Sequence, residues 1–264
     1  MIEARRDGAP DSAEGGGSRA VLRALGILEL MMEAGRPLLV AEIIAALSIP
    51  KSTAYELVNT LTAAGYLAPH GGDKRLFLGR KLFELGSAYQ NEVDLVKDGS
   101  RTIADLRDRT GETVQLSVLD GTMMLVLMKE EGSNPIRIVS HVGSRVPVNW
   151  AASGRFLVSD LEDRDLREFL RGTVQQSPTG RARLDIDDLV REIRRARKLG
   201  YAIEVNEANE HAGCVAAPVF DKSGRCVAAI SIVAPAAKLT ARNRAGLVAA
   251  VTDAAKALSH RLGA

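Results

Sequence analysis

The spacing of apolar side chains predicts three helices and a hairpin in the first third of the chain. The first helix spans residues 18–34, with apolar positions at Val21, Leu22, Leu25, Leu28 and Met32. A second fits residues 40–48 and a third fits residues 50–64, where Pro50 suits a helix start and Gly65 the position just after its end. Two short extended runs then flank a Gly-Gly turn. This order of elements is typical of a winged helix-turn-helix.

The rest of the chain alternates predicted helices and strands. In order, these are a connecting helix (80–96), a hairpin (113–130), a strand (136–142), a helix (185–200), a second hairpin (213–235) and a closing helix (241–262). The strongest of these signals is the Asp120-Gly121 pair, which joins two β-rich runs. The larger, C-terminal part is therefore predicted to be α+β with an antiparallel sheet.

Composition narrows the class of protein. The chain has 264 residues, 46% of them hydrophobic and 26% charged, as is ordinary for a soluble globular protein. No apolar run is long enough to cross a bilayer, and no signal peptide is recognisable, so we expect a cytoplasmic protein without a membrane partner. Two cysteines are too few for a disulfide framework or a zinc site, and no phosphate-binding glycine loop is present. We therefore expect neither a metal nor a cofactor.

The third predicted helix has a polar face that suits the major groove of double-stranded DNA. Its inward side carries Ala54, Leu57, Val58 and Leu61. The candidate DNA contacts on and beside the other side are Lys51, Ser52, Thr53, Tyr55, Glu56 and Asn59. Asn can pair with adenine, and Glu can accept from the cytosine amino group. In the hairpin, Lys74 and Arg75 suit the DNA backbone.

A solvated helix face is the competing interpretation of these residues. Glu56 favours it, because a carboxylate beside phosphates is repelled unless it meets a cytosine. The order of the elements favours DNA reading, and basic residues exceed acidic ones by three between Ser18 and Lys81. Since helix-turn-helix proteins usually bind paired half-sites, we expect a homodimer or a homotetramer.

The larger part contains a candidate ligand site. Residues 147–161 run from an extended segment into a helix, whose first N–H groups could hold an anion next to the small residues Ala152, Ser153 and Gly154. An ordinary helix start is the simpler explanation on sequence alone. A hydrolase using Cys214 or Ser153, with the first domain as an interaction module, is the alternative function. Neither a thiol-enzyme signature nor a G-x-S-x-G elbow supports it.

Several segments resemble the IclR family of transcription regulators. The segments "RALGILELM", "LSIPKSTAYELVNTLTAAGYL" and "RLFLGRKLFELG" are similar to the family's winged-helix half. The segments "GSRVPVNWAASGR" and "GYAIEVNEANEHAGCVAAPVFDKSGRCVAAISIVAP" are similar to its effector-binding half. The chain departs from the usual family pattern at Glu56, where Arg is usual, at Arg155, where Lys is commoner, and at His211, where Gly is usual. These departures concern base preference and the ligand loop.

The resemblance implies a ligand-responsive regulator rather than an enzyme. Its expected parts are a disordered tail (1–17), a winged helix-turn-helix DNA-binding domain (18–79), a linker helix (80–97) and a GAF-like effector-binding domain (98–264). Its expected partners are a DNA operator and a small organic acid, with a sugar acid or another catabolic intermediate among the candidates. The effector-binding residues that it implies are Ile138, Val146, Ala152, Ser153, Gly154, Glu204, Ala212, Cys214, Ser231 and Val233.

Overall fold

The structure is a computed structural model that describes residues 19–72, 74–92, 94–133 and 140–264. The chain divides into two units, the first ending at Tyr89 and the second beginning at Gln90. The predicted tail lies outside the described residues, as does most of the predicted strand at 136–142.

The first unit has the predicted winged helix-turn-helix order. Its elements are α1 (Arg19–Ala34), α2 (Val40–Leu47), α3 (Lys51–Ala63), β1 (Leu67–His70), β2 (Arg75–Leu78) and α4 (Arg80–Glu92). Strands β1 and β2 pair antiparallel. The backbones of Leu38 and Leu76 exchange two hydrogen bonds of 2.9 and 2.8 Å. These bonds fasten the link between α1 and α2 to the hairpin.

Helix α1 packs through a different stripe from the one that its spacing suggested. Ile27 and Met31 are fully buried with Ile43, Ala54 and Val58 in the core of the unit. Four of the five predicted apolar positions are instead exposed, namely Val21, Leu22, Leu25 and Met32. The helix is apolar on two sides, and periodicity alone does not distinguish the side that packs within one chain.

The second unit is α+β around an antiparallel sheet, as predicted. Its elements are α5 (Asp94–Thr110), β3 (Thr113–Asp120), β4 (Met123–Glu130), β5 (Arg145–Pro147), α6 (Ala152–Leu157), α7 (Asp163–Thr173), α8 (Ile186–Leu199), β6 (Ala202–Val205), β7 (Ala212–Phe220), β8 (Cys226–Pro235) and α9 (Ala241–Arg261). The sheet order is β5-β4-β3-β8-β7-β6, with every neighbouring pair antiparallel. One face packs against α5 and α9, and the other packs against α6.

Two hairpin turns are confirmed where the sequence predicted them. Asp120 pairs with Met123 across the first turn. In the second, the Asp221 carboxylate accepts hydrogen bonds from the N–H groups of Ser223 at 2.8 Å and Arg225 at 3.1 Å. An Asp carboxylate that accepts a hydrogen bond from the backbone N–H two residues later is common in turns.

The prediction did not include α7, β6, most of β5 or the part of α5 after Val96. The predicted connecting helix corresponds to α4 and the start of α5, with Val93 outside the described residues. The helix predicted at 185–200 is α8, which ends as expected at Gly200 with a left-handed φ of 74°.

Candidate functional site

Helix α3 exposes most of the side chains that were predicted to read DNA. Lys51, Ser52, Tyr55, Glu56 and Asn59 are exposed, and Thr53 is half-buried. The opposite side is anchored by buried Ala54 and Val58, which pack with α1, α2 and the hairpin. The tight turn that leads into α3 depends on Ser48, whose left-handed φ of 52° reverses the chain after α2. The polar face therefore lies on a helix fixed by its own core.

The two basic residues of the hairpin differ in their surroundings. Lys74 is exposed at the turn. One Arg75 guanidinium nitrogen, Nη1, lies 3.3 Å from the Glu42 carboxylate and 3.3 Å from the Pro37 carbonyl oxygen. The Leu39 N–H and the Arg36 guanidinium also bond Glu42 and hold its pKa below the usual range. Arg75 thus fastens β2 to α2 through Nη1.

A cavity of about 250 Å³ lies on the face of the sheet that packs against α6. Its polar lining includes Gln115, Ser140, Ser153, Glu204, Cys214 and Ser231. Its apolar lining includes Met124, Val146, Trp150, Pro178, Ala212 and Val233. The volume suits a small metabolite, because pockets for drug-sized ligands run from roughly 300 to 1,000 Å³.

Strand register explains why distant residues meet in this cavity. Gln115 of β3 lies opposite Ser231 of β8, so the two side chains point to the same face. One row along, Val233 lies opposite Cys214 of β7, and Cys214 opposite Glu204 of β6. The cavity floor therefore runs across four neighbouring strands.

Glu204 is a buried carboxyl group in the cavity wall, only 5% exposed. Its Oε2 accepts a hydrogen bond from the Glu207 N–H at 3.0 Å. Burial raises the pKa of Glu204 to about 7, and the Glu207 charge adds to the rise. Near neutral pH, this group is close to half-protonated.

We expect the raised pKa of Glu204 to make the second unit less stable as pH rises. The folded protein keeps a proton that the unfolded chain releases near pH 4.5, so this stabilisation is complete below the unfolded pKa and is lost as pH rises through about 7. Between pH 6 and 8 the loss is roughly 1 kcal/mol. Urea unfolding at both pH values, followed by Trp150 fluorescence, should show a smaller loss in Glu204→Gln. A Glu168→Gln control, at an exposed position on α7, should behave like the parent; equal losses in all three proteins would refute this role of Glu204.

Cys214 and Ser153 lack the features of catalytic nucleophiles. Burial is the largest cause that raises the pKa of Cys214 to about 12, so its sulfur is a thiol at neutral pH. Only the thiolate is an effective nucleophile. Ser153 is buried, and no described hydrogen bond joins its hydroxyl to a base. The geometry gives the hydrolase interpretation no support.

The start of α6 offers fewer free N–H groups than the sequence suggested. The Gly154 N–H donates to the Ala151 carbonyl at 3.1 Å. Ser153 lines the cavity, whereas Ala152 and Gly154 are buried beside it. One of the three N–H groups expected to hold an anion is therefore already bonded within the protein.

A buried ion pair supports the loop after β6. Arg155 of α6 is 3% exposed and donates to the Glu207 carboxylate at 3.1 and 3.3 Å, and to the Ile203 carbonyl oxygen at 3.2 Å. The same loop contributes Ala208 and Asn209 to the cavity. Arg155 thus holds a loop that forms part of the cavity wall.

Seven of the ten predicted effector residues line the cavity: Val146, Ser153, Glu204, Ala212, Cys214, Ser231 and Val233. Ile138 lies outside the described residues. The prediction missed Gln115, which lies in no motif that marks a ligand site, and it also missed Trp150, although Trp150 lies within the candidate segment 147–161. The alternation of side chains along β3 predicts the face of the sheet on which Gln115 lies. It does not predict which strands pair with β3, and therefore not which residues lie beside Gln115.

Across the described ranges, no helix is both long and apolar enough to cross a membrane. In the same part of the chain, no three His, Cys, Asp or Glu residues are grouped so that they could hold a metal ion.

Comparison with known proteins relates both units to the same family of transcriptional regulators. Residues 87–260 match the family model for the C-terminal part of the bacterial transcriptional regulator IclR, and residues 20–71 match the model for the IclR helix-turn-helix domain. The chain is 29% identical to the HTH-type transcriptional repressor AllR of Salmonella typhi over 266 residues, covering 100% of this chain and 98% of the relative. It is also 29% identical to the HTH-type transcriptional regulator KdgR of Escherichia coli K12 over 263 residues, with the same coverage. The crystal structure of Thermotoga maritima IclR aligns with a TM-score of 0.79 and 29% identity, over 92% of this chain and 98% of that one.

Proposed function

Because the chain belongs to the IclR family of bacterial transcriptional regulators, we propose that it binds a DNA operator and responds to a small organic acid. The observation that carries the proposal is the exposed polar face of α3, which contributes nothing to the core of its own unit. The cavity of the second unit, which is lined by both polar and apolar side chains, supports the sensing role. An operator as its target also implies that the protein acts in the cytoplasm.

The α3 face supplies both base-reading and phosphate-binding chemistry. The Asn59 amide can donate to and accept from adenine, and Ser52 can contact a base or a phosphate. Glu56 can accept from a cytosine amino group. Lys51 at the start of α3 and Lys74 on the hairpin suit phosphates, and Tyr55 and Thr53 flank the reading face.

We expect Asn59→Ala and Lys51→Ala to weaken DNA binding in different ways. Asn59→Ala should cost about 1–3 kcal/mol on the preferred operator and relax specificity at one base pair. Lys51→Ala should weaken all sequences alike and reduce the slope of log K against log salt by about 1. Fluorescence anisotropy on the operator and its single-base variants, at several salt concentrations, measures both effects.

Lys81→Ala is the matched control for lost charge. Lys81 lies outside α3 and pairs with Glu84 at 3.0 Å, so its loss should leave the salt slope almost unchanged. Uniform weakening of every operator variant by Asn59→Ala would rule out its role in base reading.

We further propose that the protein binds DNA as a homodimer or as a homotetramer. Leu22 is 63% exposed, and its neighbours on α1 extend an apolar stripe that the first unit leaves uncovered, namely Val21, Leu25 and Met32. A second copy of the chain is the occupant that suits this stripe, because paired half-sites require two reading helices.

The residues proposed to contact the effector are the seven predicted residues that line the cavity. Ala152 and Gly154 support the wall from behind, and Ile138 stays a prediction. A thiol at Cys214 fits a packing role better than a catalytic one. Replacing Cys214 by Ala should therefore only alter the response to the ligand. In the alternative hydrolase, the same change would abolish turnover.

A further inference from the structure

Four neighbouring strands carry the floor of the cavity, and solvent hardly reaches it. The floor residues are at most 5% exposed, namely Gln115, Glu204, Cys214 and Ser231. Part of the wall above them belongs to the loop between β6 and β7, residues 206–211, called here the β6–β7 loop. A molecule that is to contact the floor therefore needs part of the wall to move aside.

Glu207 is the residue through which the β6–β7 loop is fastened to its surroundings. Its carboxylate accepts hydrogen bonds from Arg155 of α6 at 3.1 and 3.3 Å. Its carbonyl oxygen accepts one from the Thr179 hydroxyl at 2.6 Å, and its N–H donates to Glu204 of β6 at 3.0 Å. Helix α6, strand β6 and the segment between α7 and α8 thus all hold one residue of the loop.

The tip of the β6–β7 loop has no comparable anchor. Within the described ranges, neither Asn209 nor Glu210 makes a hydrogen bond or an ion pair, and Glu210 is exposed. Ala208 and Asn209 nevertheless line the cavity. The loop therefore combines one firm anchor with a tip that forms cavity wall without bonds of its own.

The backbone of the β6–β7 loop is strained at both ends. Asn206 and His211 have left-handed φ values of 61° and 63°, which are unfavourable for residues other than glycine, although least so for Asn. The Oδ1 atom of Asn206 is also buried without a hydrogen-bond partner among the described residues, which is a further cost. Such strain persists only where the surroundings enforce it, and it is typical of ligand clamps and switch segments.

We propose that the β6–β7 loop is a lid that opens and closes the cavity. Glu207 is its latch, and the strained residues at its two ends favour opening, because release of the latch lets them return to ordinary φ values. This inference rests on the proposed effector role of the cavity and adds how the cavity is entered. Since the latch and the strain oppose each other, a small change in either should shift the fraction of open lid.

Cys214 reports the opening of the lid without any ligand, because it lies on the cavity floor and is 5% exposed. Replacing Cys226 by Ala leaves Cys214 as the single cysteine of the full-length chain. This protein is labelled with excess methyl methanethiosulfonate at fixed pH, and the reaction is followed by mass spectrometry. The labelling rate measures how often the floor becomes accessible.

Thr179→Val tests the latch at nearly unchanged side-chain size. It removes the hydroxyl that bonds the Glu207 carbonyl oxygen, so labelling of Cys214 should become about threefold to tenfold faster. Ser177→Ala is the matched control, because the Ser177 hydroxyl bonds Thr179 and the Ala182 N–H in the same turn but does not bond the lid. This control should change the rate by less than about twofold.

His211→Gly tests the strain. Glycine adopts the left-handed conformation without steric cost, so the closed lid should be favoured and labelling of Cys214 should become about threefold slower or more. His211→Ala is the control, because it removes the imidazole ring and keeps the strained backbone. Labelling of this second variant should not be slowed.

A protein that keeps Cys226 alone, made by Cys214→Ala, separates lid opening from a general loss of stability. Cys226 lies outside the cavity lining that the structure describes, so Thr179→Val and His211→Gly should leave its labelling rate unchanged. Equal acceleration of both cysteines by Thr179→Val would overturn the lid, and so would an unchanged rate at Cys214. Equal rates at Cys214 in His211→Gly and His211→Ala would overturn it too.

The labelling experiment needs neither DNA nor a ligand, so its outcome is independent of the proposed function. A DNA gel shift on the same preparations tests the regulator proposal separately. If no DNA fragment is specifically retarded, the regulator proposal fails, while the labelling rates still decide whether the lid exists. If DNA is bound and the labelling rate depends on neither Thr179 nor His211, only the lid is wrong.

Discussion

Replacing Arg155 by Met is expected to lower the free energy of unfolding of the second unit by about 3–5 kcal/mol. Arg155 is almost fully buried and holds the Glu207 carboxylate through two hydrogen bonds. Without the guanidinium, the buried Glu207 carboxylate loses its ion-pair partner, and burial already raises the pKa of Glu207. Urea unfolding followed by Trp150 fluorescence measures the loss.

Arg195→Met, at an exposed position on α8, is the matched control and should cost less than about 0.5 kcal/mol. The double variant Arg155→Met/Glu207→Gln should recover part of the loss, because it removes the stranded charge as well. An Arg155→Met protein as stable as the Arg195→Met control would contradict a supporting role for the ion pair.

Gly154→Ala is expected to destabilise the second unit by about 3 kcal/mol or more, or to prevent its folding. A Cβ at this position would lie 2.1 Å from the Val148 carbonyl oxygen and 2.7 Å from the Val148 carbonyl carbon. Both are backbone atoms, so the start of α6 would have to move. Because Ser153 lines the cavity one residue earlier, the response to ligand should be lost even if the unit still folds.

Gly172→Ala is the control, because a Cβ at this exposed position on α7 meets nothing within 4 Å. It should raise stability by about 0.5–1 kcal/mol through helix propensity. Urea midpoints from circular dichroism compare the two variants, and equal midpoints would contradict the close approach at Gly154.

The sequence predicted elements that have strong local signals and missed elements that depend on tertiary contacts. Helix α3 and the hairpin at Asp120-Gly121 were confirmed because their turn residues mark their ends. Most of helix α5 was missed, and Gly99 in its interior weakens its helical signal. In the structure, a Cβ at Gly99 would lie 2.7 Å from the side-chain ends of Leu116 and Met128, so Gly99 lies where α5 packs closely on β3 and β4.

The candidate site follows the same division. Resemblance to a family supplied Glu204, Cys214 and Ser231, which strand register brings together on one face. Gln115 lies in the same cavity but had no motif to mark it, and the partners of β3 are a property of the folded sheet. The sequence predicted a single apolar stripe on α1, and packing showed that the fully buried residues of this helix are Ile27 and Met31, which that stripe did not contain.

The measurement that tests the regulator proposal most directly is a gel-shift titration of the full-length protein on DNA from upstream of its own gene and its neighbours. The titration uses moderate salt and excess nonspecific competitor DNA, with and without a panel of small organic acids. We predict a specific retarded band that at least one acid dissolves or strengthens and that Lys51→Ala weakens. A protein that gives no specific band under any condition, or a band that no acid changes, would contradict it.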